Sequence, residues 1–95
     1  MGKDIRDNDF NRLCDAFLSL NDREEVYKFL SDLCTIKEID SMKQRLEVAT
    51  LLKNKETYQK IAEETGASTA TISRVNRAFS YGDDGYTMVL DRIGD

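Results

Sequence analysis

Apolar residues recur along this chain at intervals of three and four and rarely alternate with polar ones, so the pattern predicts helices throughout. From Ile5 to Leu20, residues Phe10, Leu13, Cys14, Phe17 and Leu18 fall at i, i+3, i+4, i+7 and i+8, one apolar stripe on a polar helix. Asn21 and Asp22 offer a cap, and Arg23 to Cys34 repeats the spacing with Val26, Tyr27, Phe29, Leu30 and Leu33 over a broader apolar face. Thr35 and Glu38 have the spacing of a capping box, which starts a third helix at about Ile36 and lets it run to about Lys53. Its inward positions are Ile39, Met42, Leu46 and Ala49, with Val48 and Leu52 beside them. Asn54 and Lys55 form a corner, and near the end of the chain the local turn SYGDDGY leads into a last short helix. There Tyr86, Val89, Leu90 and Ile93 again keep helical spacing, which predicts docking on another helix over residues 86–93.

Between the corner and that turn lies the stretch around which the chain is organised, YQKIAEETGASTATISRVNR from Tyr58 to Arg77. It reads as two short helices joined at Gly66, where a positive φ would strain a residue bearing a Cβ. Thr57 caps the first helix, on which Ile61, Ala62 and Thr65 share a face, and Ala62 is small enough to let a second helix cross close by. Ser68 or Thr69 caps the second, whose inward positions are Ile72, Val75 and Phe79. Ala62, Gly66, Ile72 and Val75 together have the spacing of a helix-turn-helix over residues 57–80, in which the second helix enters the DNA major groove.

The outward set on that second helix is Ser68, Thr69, Ala70, Thr71, Ser73, Arg74, Asn76 and Arg77, joined by Lys60 on the first helix. Guanidinium groups fit phosphate or the O6 and N7 of guanine, Asn pairs with adenine, and hydroxyls reach phosphates or base edges. A solvated polar face would look similar, but no Asp or Glu occurs between Thr65 and Tyr81 in a chain with 18 acids. That gap favours double-stranded DNA as partner.

Charge sharpens this picture. The whole chain carries −4, whereas Lys53 to Arg77 holds five basic residues against three acids, a net of +2 that leaves −6 elsewhere. An acidic remainder opposes indiscriminate coating of nucleic acid and confines binding to what the motif reaches. A length of 95 residues with 40% hydrophobic content gives one domain, residues 1–95, with a modest core. Helices over residues 1–54, with Phe10, Phe17, Tyr27 and Phe29 among them, bear more apolar surface than so small a motif covers, which predicts a homodimer. The chain has no histidine and no motif pairing a nucleophile with a base, so an enzyme is not expected, and no catalytic residue is assigned. Cys14 and Cys34 sit on apolar helix faces like small buried thiols of a reducing compartment and make no metal or disulfide framework. With no apolar run long enough for a membrane and no secretory pattern, the expected location is cytoplasmic. The rival reading is a helical protein-interaction module that keeps the motif's shape without binding DNA, since several acids flank the motif.

With those residues in view, the chain resembles the Trp repressor superfamily, and within it the Trp repressor-related, YerC/YecD-like branch. The likeness covers about Leu33 to Ile93 and is strongest in TGASTATISRVNR from Thr65 to Arg77 and in YGDDGY from Tyr81 to Tyr86. It implies an all-α fold of about six helices, an intertwined homodimer, and a transcriptional regulator, by implication a repressor, with one reading head per subunit. It also implies a candidate effector pocket, which carries over only in part. Arg74 matches the arginine that opens the reading helix and helps hold tryptophan in true Trp repressors. Thr35 and Arg45 match the threonine and arginine from around the third helix if a one-residue gap is allowed near Asn54, and Gln44 takes the arginine's place without it. The glycine after the pocket arginine is Val75 here, and the serine three residues further on is Ala78. A bulkier wall and a lost hydroxyl argue against L-tryptophan, so no cofactor is assigned. Arg45 and Arg74 pairing simply with acids or phosphates remains an equal alternative.

Overall fold

Four of the helices begin where a short polar side chain accepts the backbone N–H three residues on. Asp7 takes Phe10 at 2.8 Å, Asp22 takes Glu25 at 2.9 Å, and Thr57 and Ser68 take Lys60 and Thr71 at 3.1 Å each. Each bond satisfies one of the donors that a helix start leaves without an internal partner. In the computed structural model, which describes residues 4–94, the described residues form six helices and no strand. They are α1 (Asn8–Leu18), α2 (Arg23–Leu33), α3 (Ile36–Lys53), α4 (Tyr58–Thr65), α5 (Thr69–Tyr81) and α6 (Gly85–Ile93). The all-α class and the third helix agree with the apolar spacing. The first helix is shorter than the Ile5 to Leu20 pattern because the Asp7 cap fixes its start, which leaves Ile5 outside and exposed. No helix of the described residues is long and apolar enough to cross a membrane.

The chain divides into two compact units, one ending at Ile36 and one starting at Lys37. In the first, α1 and α2 are joined by an edge-to-face contact of Phe17 with Phe29, their ring centroids 5.3 Å apart and their planes at 81°. Neither helix has a buried residue. Cys14 and Cys34 are free thiols and half-buried.

The second unit holds the core. Val48 and Ala49 of α3, Ile61 of α4, Ala67 of the turn, Ile72 and Val75 of α5 and Leu90 of α6 are buried together, with Leu51, Leu52, Ala62 and Tyr86 packed against them. α5 packs on both α4 and α6, and Lys53 at the end of α3 pairs with Asp91 of α6 at 3.0 Å. Met42 and Leu46, expected to face inward, are each 38% exposed, so the apolar face of α3 runs on beyond what this unit covers.

The corner after α3 closes as a Schellman turn: Glu56 N–H donates to Leu51 and Lys55 N–H to Leu52, at 3.1 and 3.0 Å. Lys55 sits at φ 62°, a left-handed conformation that suits glycine and strains a lysine. Lys55→Gly is therefore expected to stabilise the fold by about 0.5–1 kcal/mol, read as a higher midpoint in thermal denaturation. A lower midpoint would mean that the lysine side chain contributes more than its backbone strain costs.

Candidate nucleic-acid interface

The joint between α4 and α5 is held by its own short-range bonds. Gly66 adopts φ 73° and its N–H donates to Ala62 at 2.9 Å, closing α4. The Thr65 hydroxyl donates to the Ile61 carbonyl at 2.7 Å and accepts from Ala67 N–H at 3.1 Å. Three residues after Thr65, Ser68 caps α5, and its hydroxyl lies 3.1 Å from that of Thr71. Between them Ala67 is buried in the core, so the turn is fastened from inside.

Burial along α5 follows from its turn of about 100° per residue. Ile72 and Val75 are buried and Phe79 half-buried, so the opposite face carries Ala70, Arg74 and Arg77 at i, i+4 and i+7, all exposed. Ser68, Thr69 and Ser73 are exposed as well. Thr71 and Asn76 are half-buried rather than fully outward: Thr71 precedes Val75 by four and Asn76 follows Ile72 by four, which puts both on the shoulders of the buried stripe. Among the described residues Arg74 and Arg77 form no ion pair. Lys60 is exposed on α4 and lies 3.6 Å from Glu64, a loose surface pair that a phosphate could compete with.

Of the residues considered for an effector pocket, Ala78 is the one that lines an open apolar cavity of about 450 Å³, with Leu46, Asp83, Gly85, Tyr86 and Val89. None of Gln44, Arg45 and Arg74 lines it. Gln44 is instead engaged with the turn, its Nε2 donating to the Thr65 carbonyl at 3.1 Å. Arg45 is half-buried and Arg74 exposed, while Thr35 is exposed and belongs to the first unit. Val75 is only 2% exposed, its side chain packed in the same core as Val48 and Ala49. The bond from Gln44 to Thr65 is the feature of this site that local pattern could not reveal, since its partners stand 21 residues apart.

The Trp repressor protein family model matches residues 8–94, nearly the whole chain. This chain belongs to the Trp repressor family. It is 56% identical over 89 residues to the uncharacterised YerC protein of Bacillus subtilis (strain 168), covering 94% of this chain and 86% of that one. Among solved structures it is similar to a candidate Trp repressor from Staphylococcus aureus, with 53% identity, a TM-score of 0.89, and 94% and 89% of the two chains covered. A TrpR-like protein from Eubacterium eligens ATCC 27750 matches at 53% identity with a TM-score of 0.91, over 95% and 93% of the chains. The family match begins at the first residue of α1, so in this Trp repressor relative the N-terminal helices are part of the likeness, beyond the Leu33 to Ile93 stretch where sequence motifs carry it.

Proposed function

We propose that the chain is a sequence-specific, DNA-binding transcriptional repressor that acts as a cytoplasmic homodimer and reads the major groove with α5. The observation that carries this reading is the pair of exposed guanidinium groups, Arg74 and Arg77, without an ion pair among the described residues, on a helix that has no acid and is capped at its start by Ser68. Such a face is attractive to phosphate and able to read guanine, and Ser73, Thr69 and Asn76 beside it add hydrogen-bonding reach. Residues 1–54 would serve dimerisation: α1 and α2 have no buried residue in the single chain, and Met42 and Leu46 of α3 remain partly exposed. A second copy covering these faces would set two α5 helices about one DNA turn, roughly 34 Å, apart. Retention on random duplex DNA that falls steeply as salt rises tests the DNA reading; a protein that passes through unretained at low salt contradicts it and favours a protein-interaction module.

L-Tryptophan is not the effector in this reading. Ala78 lacks the hydroxyl that a zwitterion's polar end would use, and Val75 occupies the α3–α5 core. One lost hydrogen bond to a charged group costs about 1.5–3 kcal/mol, roughly ten- to a hundredfold in affinity. Titration calorimetry with L-tryptophan is therefore expected to give no saturable heat in the micromolar range. A saturable heat accompanied by tighter DNA binding would restore Arg45 and Arg74 as pocket residues.

A further inference from the structure

The carbonyl of Thr65 ends α4 and, like every carbonyl in the last turn of a helix, has no partner within its own helix. Gln44, in the middle of α3, supplies one: its amide Nε2 reaches the Thr65 oxygen at 3.1 Å, across 21 residues of sequence. The peptide that it grips, Thr65–Gly66, is the pivot between the two helices of the motif, because Gly66 turns the chain with φ 73° and α5 starts only three residues later. One turn further along α3, Val48 enters the core that also holds Ile61, Ala67 and Ile72. α3 therefore meets the core of the motif through apolar side chains, Val48 and Ala49 with Leu51 and Leu52 beside them, and reaches its turn through a polar contact at Gln44. Apolar contacts are non-directional and let packed helices rock, whereas a hydrogen bond has a preferred line and length. Among these contacts the Gln44 bond is the directional one.

We infer that Gln44 is a positioning residue for DNA reading, a brace that fixes the angle of α5 against α3 and so the fit of Arg74 and Arg77 to base edges, without touching DNA itself. This role rests on the function proposed above. The bond to Thr65 occupies one of the two N–H donors of the Gln44 amide. Base readout needs finer placement than phosphate contact does, so loss of the brace should cost sequence preference more than general affinity.

The test uses the full chain with Gln44→Met, which keeps the length and packing of the side chain but has no donor, and Gln44→Glu, which presents only acceptors to the carbonyl. A duplex selected in vitro by the wild-type protein and a scrambled duplex of the same length are the probes. In both variants the preference for the selected duplex should fall about three- to tenfold, with affinity for the scrambled duplex within about twofold of wild type. In the absence of DNA, the Gly66 and Ala67 amides should exchange with solvent about three- to tenfold faster while the Val48 and Leu90 amides keep their wild-type rates, which separates a local loosening of the turn from general instability. Wild-type preference in both variants, or unchanged exchange at Gly66 and Ala67, overturns the brace and leaves the DNA function standing. A wild-type protein that selects no duplex overturns the DNA function itself, and the positioning role with it.

Discussion

Ile72→Ala is expected to lower the stability of the fold by about 2–5 kcal/mol, the usual cost of removing three carbons from a buried branched side chain and leaving a cavity. Ile72 is 0% exposed and shares a core of seven buried residues with all three of the other helices in its unit. So small a core has little redundancy, and total stabilities of about 5–15 kcal/mol put this loss within reach of unfolding at physiological temperature. Thermal denaturation followed by circular dichroism should show the midpoint falling by roughly 10 °C or more. Ile72→Val, which removes one methyl, should cost only about 0.5–1.5 kcal/mol. If the alanine variant melts like wild type, the inward face of α5 has been misassigned. DNA binding should be lost in this variant in proportion to unfolding, since Ile72 has no surface to offer a groove.

Arg74→Ala and Arg77→Ala should do the reverse. Both side chains are exposed and unpaired among the described residues, so the melting midpoint should stay close to wild type while DNA affinity falls. A guanidinium that reads a guanine is worth about 1–3 kcal/mol at its own base pair, and its removal relaxes preference there. One that meets a phosphate weakens all sequences alike and reduces the salt slope by about one. Measuring affinity against salt for each variant thus assigns each arginine its role. Wild-type affinity in both variants would remove α5 from the groove.

These two predictions rest on features of different legibility. The inward triplet Ile72, Val75 and Phe79 was readable because one helix period separates buried from exposed positions, and Gly66, Thr57, Ser68 and Asp22 were readable because turn and cap chemistry is local. The shoulders of the stripe were not. Thr71 and Asn76 stand four residues from buried positions, and whether such a residue is covered depends on the neighbouring helices, which the sequence does not place. The same limit explains Met42 and Leu46: periodicity marks an apolar face without saying what covers it. Gln44 is the extreme case, because a polar residue in mid-helix gives no local sign that its amide will satisfy a carbonyl in another helix. Asp7 was legible in principle, as an Asp before a helical pattern, but the apolar Ile5 drew the expected start of the first helix three residues too early.

Footprinting of the purified protein on genomic DNA tests the central claim most directly. The account predicts protection of a short palindrome whose half-sites lie about one helical turn apart, with protection weakening as salt rises. An even, sequence-independent pattern, or no protection at any salt concentration, would contradict it.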